Sequence, residues 1–325
     1  MTFPELNEKV IIVLMIMLTL ISLTISTYLA INQTETRIKT CINKKIYVIQ
    51  TGGTIEENFN ELSSGLRSKI ADYDIIAYNP PIEASNMTSQ DWNQISSDIV
   101  DKYNDYDAFV IVSPPDAIPY MASSLAFILE NLGKPVIISS GDLSSTLVLA
   151  SSTKSPEVMV SSNGKLIRGC RSVIGSDGFV SPNYPVLNKN NVLTLPSEDF
   201  SPKYFNTKNK IVVIKVHPEL DLKNINEVDG IVLELWGEGT GSQSPKFFND
   251  IGTLAKNGVV IVAVSQRQDD YEIDIRLVEA GVLPGYDMTT AAAYAKLLFL
   301  LGNVEDKKLI GQLMDVNFRG EMTTE

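Results

Sequence analysis

Ala108-Phe109-Val110-Ile111-Val112-Ser113-Pro114-Pro115-Asp116-Ala117 is an apolar, β-branched run that stops at two prolines and presents an acidic residue just beyond them. A helix-like stretch follows at 121–132, closed by Gly133-Lys134-Pro135, and a second apolar run, Val136-Ile137-Ile138, begins at once. Strand, loop, helix and strand in that order predict parallel strands joined by crossover helices. In such sheets ligands collect at the carboxyl ends of the strands, which is where Ser113 to Ala117 falls.

The same alternation runs outward in both directions. Strands are expected at 46–49, 74–77, 108–112, 136–138 and 158–161, with helical spacing at 89–103 and 123–132. Residues 184–205 are rich in Pro, Asn and Ser with little periodicity, as in a linker. Beyond it a second α/β unit is expected, with strands at 211–216, 230–235 and 259–264 and helices at 243–256, 274–280 and 289–301. The predicted fold class is α/β: a doubly wound parallel-sheet N-terminal domain at 45–183, a linker at 184–209, and a smaller α/β C-terminal domain at 210–325. No solenoid repeat interrupts this order.

The chain has 325 residues, 44% of them hydrophobic, enough for a sizeable core. Its net charge of -12 argues against nucleic-acid partners, which need clustered Lys and Arg. Cys41 and Cys170 lack any CxxC or Cys/His spacing and read as free thiols, and no metal or cofactor motif stands out. After a tail at 1–9, residues 10–31 carry no charge and are rich in Ile, Leu, Met and Val. At about 1.5 Å per residue a helix there would cross the roughly 30 Å hydrocarbon layer, so a transmembrane anchor is expected before the folded part. Lys9 precedes that stretch, while Arg37, Lys39, Lys44 and Lys45 follow it in a basic juxtamembrane linker at 32–44. This bias predicts a single-pass membrane protein with its folded part in the cytoplasm.

The first expected strand leads into Thr51-Gly52-Gly53-Thr54-Ile55. Glycines let a backbone approach a ligand closely, and a threonine hydroxyl is a nucleophile when a base takes its proton. Alone, this turn is a weak signal. It is neither a dinucleotide fingerprint nor a P-loop, since no lysine follows the glycines.

From Lys45 to Gly302 the chain resembles the bacterial-type asparaginases, most closely the cytoplasmic type I branch. The resemblance rests on Thr51-Gly52-Gly53-Thr54, on Asn86-Met87-Thr88-Ser89-Gln90-Asp91-Trp92, on the run from Tyr106 to Val136, on Leu166-Ile167-Arg168-Gly169, and on Ala280 to Thr289. It implies that Thr54 matches the nucleophile that attacks a side-chain amide, and that Asp116 matches the aspartate that binds the substrate amino group. It also implies losses. Pro115 stands where a second catalytic threonine belongs, and a pyrrolidine ring has no side-chain proton to move. Val173 or Ile174 takes the place of the lysine that serves that threonine, and neither Lys165 nor Arg171 is expected to replace it. Ala84 replaces the serine that holds the substrate carboxylate, and its neighbours Glu83 and Ser85 are expected, with Asp116, to bind the substrate. The loop from Glu56 to Glu61 lacks the tyrosine of the family's mobile lid.

These departures make a catalytically degenerate homologue the leading expectation, one that binds a small asparagine-like amino acid or a protein partner. The alternative is an active hydrolase releasing ammonia from asparagine through Thr54, and a second is a structural membrane-associated assembly protein. The resemblance implies a homodimer or homotetramer, with the glycine-rich loop 236–241 facing a partner. Without catalysis, Thr54 would satisfy a turn amide and Asp116 would cap the next helix. The sole histidine, His217, reads as a loop residue, and the acidic run at 268–274 as a solvated loop.

Overall fold

The computed structural model describes residues 17, 19, 21–28, 44–55, 71–182, 197, 199–267 and 272–323. Its first sheet contains β1 (Lys45–Gln50), β2 (Asp72–Ala77), β3 (Ala108–Val112), β4 (Val136–Ser139), β5 (Val158–Ser162) and β6 (Lys165–Arg168), in the order β2-β1-β3-β4-β5-β6. All neighbours are parallel except β5 and β6. The connecting helices are α1 (Ser89–Lys102), α2 (Ile118–Ile128) and α3 (Leu143–Ser152). A short antiparallel hairpin follows, β7 (Val173–Gly175) with β8 (Gly178–Val180). The second sheet is wholly parallel in the order β12-β11-β10-β9, from β9 (Ile211–Lys215), β10 (Gly230–Leu235), β11 (Val260–Ser265) and β12 (Val282–Pro284). Its helices are α4 (Pro245–Lys256), α5 (Ile275–Glu279), α6 (Thr290–Asn303) and α7 (Lys307–Met314).

β3 is buried at every position. Its side chains alternate between two cores, as the period of two in a strand requires. Phe109 and Ile111 join Trp92, Ile95 and Ile99 of α1 and the apolar face of α2, whereas Ala108, Val110 and Val112 join Leu143, Leu147 and Ala150 of α3. The first of these clusters continues through Ala292, Leu297 and Leu298 of α6 to Val232 and Val262 of the second sheet. One apolar core therefore spans both sheets, with α2 and α6 at its centre.

The described residues contradict the transmembrane helix expected at 10–31. Helical backbone is described there only at 17, 19 and 21–28, the rest lying outside the described residues. No helix among the described residues is long and apolar enough to cross a membrane. Within 21–28, Ser22, Thr24, Ser26 and Thr27 break the apolar run, and the Thr24 and Thr27 hydroxyls turn onto the Ile21 and Leu23 carbonyls. The single-pass topology with a cytoplasmic folded part, which was expected from that span, loses its basis with it.

Other boundaries differ for local reasons. The helix expected from 121 or 123 starts at Ile118, with Pro119 in its first turn, where a missing N–H costs nothing. It ends at Ile128 rather than Leu132, since Leu129 leaves helical geometry (φ -81, ψ 67) and Asn131 adopts φ 57. Not foreseen were α3, whose N-cap Asp142 accepts from the Ser145 N–H at 3.0 Å, the short strands β6, β7, β8 and β12, and α7, capped by Asp306. The expected linker falls largely at residues outside the described set.

Candidate active site

In the first sheet the chain moves from β1 outward to β2 and then returns to place β3 on the other side of β1. The loops after β1 and β3 thus flank a topological switch point, the crevice where such sheets hold ligands. Backbone hydrogen bonds fix both loops. The Thr51 N–H and hydroxyl both donate to the Val112 carbonyl, at 2.9 and 3.1 Å, and the Ser113 N–H donates to the Ser139 carbonyl at 3.0 Å. Gly52 permits this packing, since a Cβ there would lie 2.4 Å from the Ile82 carbonyl oxygen and 3.3 Å from the Pro114 ring.

Thr54 is exposed on the β1 loop, and its hydroxyl makes no hydrogen bond to another described residue. Asp116 is exposed in the 3-10 turn Pro115–Ala117, and its carboxylate likewise has no hydrogen bond within the described residues. It does not cap the following helix, because the N-cap of α2 is Ala117. Instead it borders a cavity of about 250 Å³ lined by Ala84, Met87, Trp92, Asp116, Ala117, Tyr120 and Tyr294. Three helices build the aromatic wall. Trp92 of α1 meets Tyr294 of α6 edge-on at 6.2 Å between ring centroids, and Tyr294 meets Tyr120 of α2 at 5.5 Å. The indole N–H of Trp92 is buried without an acceptor among the described residues. Burial pushes both phenols above their ordinary range, Tyr120 further so because Glu234 is near, and neither serves as a base at neutral pH.

The structure therefore brings Ala84 and Asp116 to one cavity. Glu83 and Ser85 flank Ala84 but are exposed and do not line it. Pro115 is exposed beside Asp116, Val173 is half-buried, and Ile174 is 55% exposed on β7. Arg171 is committed elsewhere: its Nη1 lies 2.8 Å from the Asp287 carboxylate and its Nε donates to the Gly320 carbonyl at 2.8 Å. Lys165 is exposed on β6. Glu56 to Glu61 lie outside the described residues, as does Cys41, while Cys170 is a free, buried thiol. His217 is an exposed loop residue, and Asp274 caps α5 by accepting from the Arg276 N–H at 3.0 Å. The sequence reading missed Met87, Tyr120 and Tyr294 as cavity residues. Trp92 and Met87 lay in a recognised landmark, but nothing local marked Tyr120 or Tyr294, because their meeting is a product of how α2 and α6 pack.

Two mainly parallel sheets with one shared core, a Gly-Thr loop and an aspartate at the switch point, and a small cavity beside Asp116 define a class: doubly wound α/β proteins with a ligand crevice at the carboxyl ends of their strands. Comparison with known proteins narrows this. Residues 45–199 match the family described as "Asparaginase, N-terminal", and residues 210–314 match "Glutaminase/Asparaginase C-terminal domain". The chain belongs to the asparaginase family. It is 31% identical to L-asparaginase 1 of Escherichia coli (strain K12), over 86% of this chain and 98% of that protein. The crystal structure of L-asparaginase I from Vibrio cholerae is similar with a TM-score of 0.78 at 30% identity, covering 87% of this chain and all of that one. The L-asparaginase of Thermococcus kodakarensis shares the fold, with a TM-score of 0.72 at 24% identity over 86% of this chain and all of that one.

Proposed function

We propose that this chain is an asparaginase-class amidohydrolase of low turnover, which holds a small amino-bearing amide at Asp116 and opens it through Thr54. The observation that carries the reading is family membership across both sheets, together with a Thr54 hydroxyl left exposed on the loop at the switch point. In the proposed reaction the Thr54 Oγ1 adds to the amide carbon and its proton passes through water to the departing nitrogen. The C–N bond breaks, ammonia leaves, and a second water cleaves the threonyl ester to give the carboxylic acid and restore the hydroxyl. Pro115 has no side-chain proton to relay, and losing members of a catalytic unit costs on the order of 10⁴ to 10⁶ in kcat.

A second reading, ligand binding without turnover, is favoured by the combination of Pro115, Ala84 and the Val173-Ile174 pair. The comparisons lean toward hydrolysis, since the relatives at 31% and 30% identity carry the name L-asparaginase. Ammonia release from L-asparagine by the full chain, beside Thr54→Ala, separates the two. Slow release abolished in Thr54→Ala supports the hydrolase. No release from folded protein leaves the binding reading, and release that survives Thr54→Ala removes Thr54 from the mechanism.

A further inference from the structure

The loop that meets Thr54 from β4 carries a carboxylate. Between the end of β4 at Ser139 and the start of α3 at Leu143 stand Ser140, Gly141 and Asp142. Two contacts fix this loop against that of the nucleophile. A Cβ on Gly141 would lie 2.5 Å from the Thr54 carbonyl oxygen, so the two backbones touch there. On the other flank, Ile55 packs against the cluster that holds Leu143 and Leu147 of α3. Asp142 lies between those two anchors and is confined to the edge of the Thr54 loop. The Gly141 N–H donates to the Ser139 hydroxyl at 3.3 Å, and the Leu143 N–H donates to the Gly141 carbonyl at 2.8 Å, which holds the turn in shape. The Asp142 side chain is exposed, and its Oδ1 accepts the Ser145 N–H at 3.0 Å as the N-cap of α3. An ionised carboxylate has about four acceptor sites, and this cap uses one of them.

We infer that Asp142 is the general base of the Thr54 reaction, acting on the hydroxyl through one bridging water. As Thr54 Oγ1 bonds to the amide carbon, Asp142 takes its proton, and it gives that proton to the nitrogen as the C–N bond breaks and ammonia leaves. In the second half it takes a proton from the water that attacks the threonyl ester and returns one to Thr54 Oγ1, so the carboxylate ends as it began. The inference rests on the reading of Thr54 as nucleophile and names the group that moves its proton, a role that Pro115 cannot fill.

The test separates the base from the cap. Asn and Ser cap a helix about as well as Asp, so Asp142→Asn and Asp142→Ser remove the base while α3 keeps its cap. Ammonia release from L-asparagine is measured for the full chain, both variants and Thr54→Ala, with Tm and calorimetric binding of L-asparagine beside it. Both Asp142 variants are expected to lose about a hundredfold or more in kcat, the scale of a positioned base, with Tm and binding close to the parent's. Sodium formate should restore part of the rate to Asp142→Ser by occupying the vacated space, and sodium chloride at the same ionic strength should not. Parent-like release by Asp142→Asn overturns the inference and leaves Thr54 as nucleophile. Failure of formate to restore Asp142→Ser assigns the loss to the helix cap and overturns it as well. Absence of Thr54-dependent release from the folded parent overturns both this inference and the reading beneath it.

Discussion

Lys296 and Glu321 form a 2.8 Å ion pair in which both side chains are wholly excluded from solvent. Each is also held by backbone. Lys296 Nζ donates to the Met314 and Val316 carbonyls at 2.8 and 2.6 Å, and the Glu321 carboxylate accepts from the Phe318 and Arg319 N–H groups at 3.1 and 2.7 Å. The pair fastens residues 314–321 to α6, the helix that brings Tyr294 to the cavity.

Removing one partner would strand a buried charge. Lys296→Met is therefore expected to lower unfolding free energy by about 3 to 5 kcal/mol, the range for breaking a buried pair. The double variant Lys296→Met/Glu321→Gln should recover part of that loss, because no full charge then remains uncompensated. Urea denaturation of the three proteins checks both statements. A loss below about 1 kcal/mol in the single variant would show that the pair is not sealed from water.

A second tether behaves differently with pH. Burial pushes the Asp287 carboxyl up, but hydrogen bonds from the Thr323 hydroxyl, Arg171 and the Thr323 N–H more than offset it, and the group sits below its ordinary 3.8. A carboxyl whose folded pKa is depressed contributes stability that is complete above its unfolded value and disappears as pH falls through the folded one. The Asp287 contribution is thus full at pH 5 and fades below about pH 4. Asp287→Asn should reduce stability at pH 7 and flatten this part of the acid limb, measured as Tm against pH. An acid limb as steep as the parent's would assign that slope to other carboxylates.

Cys170 lies in the larger core, 1% exposed, with its thiol 3.3 Å from the Arg319 carbonyl. Burial pushes this thiol up to about 12, with the Glu321 charge adding to it. Because the thiolate is the reactive form, Cys170 should resist a disulfide reagent at pH 8 in the folded protein and react at once in denaturant. Counting labelled thiols in a Cys41→Ser variant isolates it, and rapid labelling without denaturant would contradict its enclosure.

How much of this was readable beforehand depended on distance along the chain. β3 and the loop to Asp116 are contiguous, so an unbroken apolar run and its punctuation sufficed to place them. The Gly-Thr loop after β1 was readable for the same reason. The cavity wall was not, since Trp92, Tyr120 and Tyr294 come from three helices and only tertiary packing unites them. α3 was hidden by its serines, which favour turns locally and are outweighed by Leu143, Leu147 and Ala150 packing under the sheet. At 10–31 an uncharged, apolar composition permits a membrane-spanning helix without specifying one, and no helix among the described residues is long and apolar enough to cross a membrane.

Gly141 connects the fold to the candidate nucleophile. It adopts φ +144, a region side chains rarely enter, and a Cβ there would lie 2.5 Å from the Thr54 carbonyl oxygen. The β4 loop can therefore press against the Thr54 loop only if residue 141 has no side chain. Gly141→Ala must either shift Thr54 away from the switch point or strain both loops, and the strained backbone costs about 1 to 3 kcal/mol. The expected outcome is a lower Tm together with a loss of Thr54-dependent ammonia release, at an Asp116 site that still binds ligand in calorimetry. Asp116 would keep its place because it hangs from β3, which the Ser113 to Ser139 hydrogen bond ties to β4 independently of Gly141. If ligand binding fell along with turnover, the two loops would be one mechanical unit, and holding the ligand and attacking it would not be separable functions of Asp116 and Thr54.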